Sequence, residues 1–256
     1  MKQSLTASSY LTLIYLFFYI PIIVLIIYSF NDAQYSLLWH GFTWKWYEEL
    51  FADNDLWMAT WHSFFLGCTS ATVATFVGLL AAVSLYRYRF FGRNLLNSLV
   101  FILIVSPEIV TGASLIILFS LLSLPLGFTT LLLSHISFCI PFVIVTTYSR
   151  LVSFDKNIFE AAKDLGAHDW LILVRIILPL LWPALFAGWL LSFTLSLDDV
   201  IISYFVTGPE FEILPLRIYS MVRSGVKPEI NALCSVLFGV TLALIVLSQL
   251  ALKKKN

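Results

Sequence analysis

Charged residues are scarce in this chain, making up 12% of its 256 residues, whereas 60% are hydrophobic. A soluble domain carries roughly 25% charged and 45–50% apolar residues. The composition therefore excludes a soluble protein and predicts an integral membrane protein. The formal net charge of zero carries little information, because in such a protein the distribution of charge between the two membrane sides matters more.

Cysteines are few, and a phosphate-binding loop is lacking. Cys68, Cys139 and Cys234 each lie inside an apolar run without paired spacing, which argues against a disulfide framework and a metal site and favours packing roles. No Gly-rich loop suited to binding phosphate occurs. We therefore expect no catalytic residue, metal or cofactor on this chain, and any ATP must be bound by another chain.

Six apolar runs are long enough to cross a hydrocarbon core of about 30 Å, which takes about 20 helical residues. They lie near 10–30, 60–86, 95–121, 128–149, 180–206 and 230–252. The first follows Lys2 and has no small-residue cleavage site after it, so it is interpreted as an uncleaved span. The sequence predicts one all-α membrane domain over residues 1–256.

Basic residues lie mostly on one side of these spans. With the N-terminus inside, the inner segments hold 11 of the 15 basic residues: Lys2, Arg87, Arg89, Arg93, Arg150, Lys156, Lys163, Arg175, Lys253, Lys254 and Lys255. The outer segments hold Lys45, Arg217, Arg223 and Lys227. Because positive residues are enriched in cytoplasmic loops, we expect both termini and the loop 150–179 in the cytoplasm.

The sequence of the loop 150–179 predicts a helix-turn-helix at the membrane surface. Helical spacing gives one apolar stripe, formed by Phe154, Ile158, Ala161, Ala162 and Leu165. The other faces carry Asp155, Lys156, Glu160, Lys163 and Asp164. Gly166 is expected to end this helix in the left-handed conformation, and Asp169 to cap a second helix that starts near Trp170.

Three carboxylates fall inside predicted spans at similar depth. Glu108 follows Pro107, which lacks a backbone donor and frees the helix locally. Asp199 continues a polar stripe from Gly188 through Ser192 and Ser196, while Asp198 lies about 100° around the helix, beside Thr194. A carboxylate at mid-membrane costs about 2.5–3.5 kcal/mol on insertion scales, so these should face a bundle interior or a wet cavity.

These carboxylates have two interpretations. They can line a path for a cation, replacing the hydration of an ammonium group; no Lys or Arg lies within the predicted spans to neutralise them. Alternatively, Asp198 and Asp199 cap a broken helix or bond to Ser196, while Glu108 bonds carbonyls freed near Pro107. The two interpretations are compatible for different residues.

Two other residues, Trp46 and His135, each have a functional and a structural interpretation. Trp46, in an acidic and aromatic outer loop, is a candidate for contact with a cationic ligand or a delivering protein. Such residues are more usually an interfacial belt. His135, in the fourth span, is expected to be a satisfied packing residue.

The spacing of the 150–179 loop has a known counterpart. Glu160-Ala161-Ala162, Gly166, Ile176 and Leu178-Pro179 resemble the EAA loop of ABC-importer permeases. That resemblance implies a type I importer permease fold and a coupling helix that seats on a cytoplasmic ATPase. The alternative is an amphipathic connector lying on lipid headgroups, although its mixed charge disfavours this.

The resemblance extends along nearly the whole chain. The runs SPEIV, FDKNIFEAAKDLGA and LSFTLSLDDVIISYFVTGP resemble the C-type permease subunit of spermidine/putrescine importers. This implies a homologous permease partner, an ATPase homodimer that binds ATP and Mg²⁺, and a periplasmic polyamine-binding protein in the bacterial inner membrane system. It also implies a substrate path of Trp46, Glu108, Ser196, Asp198 and Asp199. Family members commonly carry Asp where this chain has Glu108.

The sequence also has alternative functional interpretations, both for the substrate and for the class of membrane protein. A related permease for an oxyanion should offer basic or helix N-terminal donors at mid-membrane, which are not evident, and an iron complex is a further alternative substrate. A membrane aspartyl protease needs two carboxylates converging from different helices; Asp198 and Asp199 diverge, whereas Glu108 with Asp199 stays open as such a pair. An ion-driven secondary carrier is disfavoured because no inverted repeat is apparent. The sequence does not distinguish spermidine from putrescine.

Overall fold

A computed structural model describes residues 5–33, 38–155, 157–225 and 228–253, with side chains described between residues 8 and 243 of these ranges. In the described residues the regular secondary structure is helical apart from an isolated bridge between Asn31 and Phe42. The helices are α1 (Leu5–Tyr28), α2 (Lys45–Ala52), α3 (Asn54–Arg87), α4 (Arg93–Val105), α5 (Glu108–Leu121), α6 (Phe128–Val152), α7 (Asn157–Asp164), α8 (Asp169–Ile172), a π-helical segment (Leu173–Ile177), α9 (Leu178–Asp198), α10 (Ile201–Val206), α11 (Leu214–Arg223) and α12 (Pro228–Lys253).

Four helical stretches in the described ranges are long and apolar enough to cross a membrane. They are Ser8–Tyr28, Asn54–Arg87, Phe128–Val152 and Asp169–Asp198. A bent pair, α4 with α5, makes a fifth if it is counted as one span, and the apolar part of α12 is a shorter helix, Pro228–Ala243. The all-α membrane class is thus confirmed, while the count of six spans stays a prediction.

The third predicted span is not one straight helix. Helices α4 and α5 meet at 114° across Ser106 and Pro107, both of which have extended backbone with ψ near 130°. Pro107 cannot donate a backbone hydrogen bond, and it disfavours helical geometry in the residue before it. The span near 95–121 is therefore a bent pair of helices, in line with the freed backbone expected at Pro107, and the depth of Glu108 does not follow from counting along one straight helix.

The fifth predicted span begins earlier and ends earlier than expected. One helical stretch runs from Asp169 to Asp198, 30 residues or about 45 Å at 1.5 Å per residue. It includes the π-helical segment, where Leu178 N–H bonds Leu173 O five residues back. The backbone becomes extended at Asp199, with ψ 119°, and α10 follows as a separate helix.

Two compact units make up the chain, residues 1–57 with 217–256 and residues 58–216. The first unit contains α1, α2 and α12, and α12 packs against the other two. Trp46 and Leu50 of α2 are buried in it, and Arg217 lies 3.6 Å from Asp53. Helix α11 is a short helix in the segment between α10 and α12.

The second unit contains a core that joins the 150–179 loop to the long helices. Ten buried apolar residues contribute to it: Ala82, Leu85, Val100, Ile144, Leu151, Ala162, Ile172, Ile177, Leu181 and Leu185. They come from α3, α4, α6, α7, α8, the π-helical segment and α9. Because this core is continuous, the loop packs together with the helices that precede and follow it rather than lying apart on the surface.

Candidate functional site

Two helix breaks lie close together in the second unit. Helix α5 begins after the break at Pro107, helix α10 begins after the break at Asp199, and these two helices pack against each other. The approach is close at Gly112, where an added Cβ would lie 2.6 Å from the Phe205 ring and 3.3 Å from Ile202 Cα. The absence of a side chain at Gly112 therefore lets the two breaks approach.

This packing gathers the three predicted carboxylates. Glu108, the first residue of α5, lies within electrostatic range of both Asp198 and Asp199. Glu108 and Asp198 are exposed, and neither forms an ion pair among the described residues. Asp198 lies on the same exposed side of α9 as Thr194, as the helical spacing predicts. These two carboxylates are available to a ligand.

Asp199 has a different environment. It is only 6% exposed, and both of its oxygens accept hydrogen bonds. Oδ1 accepts from Ile202 N at 3.2 Å, while Oδ2 accepts from Ser203 N at 2.8 Å and from Ser203 Oγ at 2.7 Å. Asp199 therefore stabilises the start of α10, as the helix-cap interpretation expects.

His135 and Ser203 join the site and were not predicted as part of it. His135 Nδ1 lies 2.6 Å from Ser196 Oγ, and Nε2 lies 2.9 Å from Ser203 Oγ and 3.6 Å from Asp199 Oδ2. The expectation of a satisfied histidine is correct, but its partners lie 61 and 68 residues away. Ser203 could have been found, because it extends the stripe of Ser192, Ser196 and Asp199 by four residues.

Trp46 is a buried residue of the first unit. It is 4% exposed, and its Nε1 donates to Asn31 O at 2.8 Å. The Lys45 ammonium lies 5.1 Å from the ring centroid. In this conformation the indole packs inside the unit. Its contact with a substrate stays a prediction.

The turn of the 150–179 loop has the predicted geometry. Gly166 has φ +81°, the left-handed conformation that glycine adopts without steric cost. Gly166 N bonds Lys163 O at 2.8 Å and Ala167 N bonds Ala162 O at 3.0 Å, which satisfies carbonyls at the end of α7. The prediction that Gly166 ends the helix is confirmed.

Asp169 does not cap the second helix. His168 occupies the N-cap position of α8, without a side-chain cap bond, and the Asp169 carboxylate instead pairs with Arg87. It also accepts from Tyr88 Oη at 3.1 Å and lies 3.8 Å from Lys163 Nζ. These contacts with Arg87, the last residue of α3, and with Tyr88 tie the loop to the end of α3.

The loop presents both polar and apolar groups at its surface. Leu165 is 89% exposed, so its predicted place in a packed stripe is wrong. Ala162 is part of the core, and Phe154, Ile158, Phe159 and Ala167 pack against it. Among the other predicted coupling residues, Glu160, Ala161 and Pro179 are exposed and Leu178 is half-buried. Trp170 is exposed as well, which adds a second large apolar side chain beside Leu165.

Other predictions concern charge and metals. Lys2, Lys156, Lys227, Lys254 and Lys255 lie outside the described residues, and the side chain of Lys253 is not described. Membrane orientation therefore stays a prediction. Within the described ranges no group of three or more His, Cys, Asp or Glu residues could hold a metal ion. The three cysteines are free, and Cys139 is buried with Sγ 3.4 Å from Ser192 O.

The broken helices and the surface loop belong to a known class of membrane protein. Residues 74–253 match the family described as binding-protein-dependent transport system inner membrane component. The chain belongs to this family. It is a membrane transport component rather than an enzyme, as the sequence predicts.

Several curated proteins are similar over nearly the whole chain. The spermidine/putrescine transport system permease protein PotC of Escherichia coli (strain K12) is 53% identical over 252 residues, covering 98% of this chain and 96% of the relative. The protein of the same name from Haemophilus influenzae is 50% identical over 256 residues, with full coverage of both chains. The Escherichia coli (strain K12) putrescine transport system permease protein PotI is 41% identical over 230 residues, covering 87% of this chain and 82% of the relative.

Solved structures share the fold at low sequence identity. A bacterial ABC transporter involved in the import of the acidic polysaccharide alginate matches with TM-score 0.69 and 17% identity, covering 96% of this chain and 94% of that chain. The bacterial alginate ABC transporter in complex with a pentasaccharide-bound periplasmic protein matches with TM-score 0.72 and 18% identity, covering 94% and 90%. These matches establish the fold.

Proposed function

We propose that this chain is a permease subunit of an ATP-driven polyamine importer and forms half of its translocation path. The observation that carries the proposal is the 53% identity, over 98% of the chain, to a spermidine/putrescine permease. The acidic site at the two helix breaks supports the same substrate class, since polyamines carry several ammonium groups.

The exposed carboxylates suit this cargo. An ammonium group leaving water needs replacement acceptors, and a carboxylate in a partly desolvated cavity supplies both acceptor oxygens and opposite charge. In our proposal Glu108 and Asp198 contact the ammonium groups directly. Asp199, with both oxygens occupied, adds negative charge and fixes the backbone next to Asp198. Ser196 and Trp46 complete the proposed path.

The remaining subunits follow from the family. The proposed importer contains a homologous permease that forms a heterodimer with this chain, an ATPase homodimer that binds ATP and Mg²⁺, and a periplasmic polyamine-binding protein. The family description, binding-protein-dependent, supports the last of these. We propose six membrane spans with both termini in the cytoplasm of the bacterial cell.

The loop and the long helix would connect the ATPase to the cation site. The proposed coupling residues are Glu160, Ala161, Ala162, Gly166, Leu178 and Pro179. Leu165 and Trp170 project beside them and offer apolar contacts to the ATPase. Because Asp169–Asp198 is one helical stretch, a displacement of the loop is carried to the end of α9, where Asp198 lies. ATP-driven closure would thereby bias the inward- and outward-open states.

The test is the ATPase activity of the purified, reconstituted complex with a panel of solutes. Spermidine or putrescine, delivered with the binding protein, should stimulate hydrolysis, whereas a ferric complex or sulfate should not. Stimulation by one of the latter alone would replace the polyamine proposal with an importer for an iron complex or an oxyanion.

Two neutralising variants test the site. Glu108→Gln and Asp198→Asn should each weaken polyamine stimulation by roughly tenfold or more, the equivalent of losing one charge-assisted hydrogen bond. Glu48→Gln, which neutralises an exposed acid of α2, is the control and should not change it. Normal uptake by both site variants would contradict the cation path.

A further inference from the structure

His135 lies at the centre of a buried set of hydrogen bonds that spans the break between α9 and α10. The residue is 1% exposed. Its two ring nitrogens contact hydroxyls on opposite sides of the break, Ser196 Oγ at 2.6 Å and Ser203 Oγ at 2.9 Å. Ser70 of α3 extends the set, because its Oγ lies 3.2 Å from Ser196 Oγ. Four helices therefore meet through these side chains.

The donors and acceptors of this set can be assigned from the carboxylate outward. Both oxygens of Asp199 act as acceptors, so the single hydroxyl hydrogen of Ser203 is used in the 2.7 Å bond to Oδ2. Ser203 Oγ must then accept from His135, which places a hydrogen on Nε2. In a neutral imidazole Nδ1 has no hydrogen, and it accepts from Ser196.

The same reasoning assigns the hydrogen bond between Ser196 and Ser70. Since the hydroxyl hydrogen of Ser196 is used toward Nδ1, Ser196 Oγ accepts from Ser70. The hydrogen bonds therefore run in one direction, from Ser70 through Ser196, His135 and Ser203 to Asp199. Ser70 Oγ also lies 3.2 Å from Gly67 O, so its hydrogen is shared between that carbonyl and Ser196 Oγ. From Ser196 to Asp199 each member has one role, and connected hydrogen bonds strengthen one another in a low-dielectric interior.

We propose that His135 is a positioning residue of the cation site. Its neutral Nε2–H tautomer orients the Ser203 hydroxyl toward Asp199 and holds the end of α9 and the start of α10 in register across the break. This fixes the backbone that presents Asp198 to the path. The role in transport rests on the proposed function, whereas the role in ordering α10 does not depend on the identity of the cargo.

The test separates hydrogen bonding from packing with two unbranched substitutions of similar size. His135→Gln places an amide N–H near the Nε2 position and retains the donor to Ser203, whereas His135→Met fills the space without a donor. Both variants are purified as the complete importer complex, and copurification of all subunits checks assembly. His62→Met is the control, because His62 in the same unit packs on Phe211 at 4.0 Å and bonds Glu212 O.

The first readout is amide hydrogen exchange over residues 201–206 in the absence of cargo. His135→Met should accelerate exchange by about tenfold, the effect of losing one buried hydrogen bond. His135→Gln and His62→Met should match the wild-type rate. Equal exchange in the Met and Gln variants, whether slow or fast, would overturn the proposal, because the donor at Nε2 would then have no specific effect.

The second readout is the polyamine concentration that gives half-maximal ATPase stimulation. His135→Met should raise it by about tenfold, and His135→Gln should leave it close to wild type. In a Ser203→Ala background the Met and Gln variants should become equal, since the acceptor has been removed. If wild type is not stimulated by any polyamine, the proposed cargo fails, while the exchange measurement still decides the role of His135.

Discussion

Asp198 and Asp199 are adjacent in the chain, but replacing each with asparagine should affect stability very differently. In Asp199→Asn one carboxylate oxygen is replaced by an NH₂ group, which cannot accept a hydrogen bond. That NH₂ group must face either Ile202 N or the Ser203 donors, so a buried hydrogen bond is lost. The remaining bonds to Ser203 also lose their charge assistance. The expected destabilisation is about 2 kcal/mol, which corresponds to a fall of roughly 4–8 °C in the melting temperature of a chain this size.

Asp198→Asn should leave stability nearly unchanged, because its side chain is exposed and surface substitutions usually stay within about 0.5 kcal/mol. It should nevertheless reduce polyamine uptake, since it removes charge at the path. The assay is thermal unfolding of the purified complex beside uptake in proteoliposomes. Similar melting temperatures for both variants would refute this division between a structural and a ligand-contacting aspartate.

Two glycine substitutions test the loop and the approach of the two breaks. Gly166→Val should cost at least about 1–2 kcal/mol, because Gly166 has φ +81°, and should uncouple ATP hydrolysis from transport; unchanged substrate-stimulated hydrolysis would contradict the role of the loop. Gly112→Leu should cost about 1–3 kcal/mol through overlap with Phe205 and Ile202 and should weaken polyamine stimulation; wild-type stimulation and melting would argue against the close approach. Gly239→Leu is the control for Gly112→Leu, and Gly239→Val for Gly166→Val, since space is open beside that residue in α12.

Local rules in the sequence predicted the features that depend on neighbouring residues. The conformation of Gly166, the shared face of Ser192 and Ser196, and the position of Asp198 on the side of Thr194 follow from helical spacing or from the backbone freedom of glycine. Pro107 likewise indicated a locally freed backbone. The size of the bend did not follow, because proline removes one bond but does not set the direction of the next helix.

Contacts between distant residues could not be predicted in this way. Aspartate is a residue type that often caps helices, yet the Asp169 carboxylate pairs with Arg87, 82 residues earlier. His135 has no local signal for its partners on α9 and α10. Leu165 continues the apolar spacing of the stripe, but it is exposed, whereas Phe159 and the residues around it pack on the core.

The π-helical segment determines how far the side chains near the end of α9 are rotated about the helix axis relative to those of α8. A residue inserted into or removed from a helix turns everything beyond it by about 100°, and π-helical turns contain such an extra residue. Deleting one residue within Leu173–Ile177 would therefore rotate Ser192 and Ser196 away from α6 while the loop stayed in place. For a given position of the loop, the widened turn thus determines which face of α9 lies against α6.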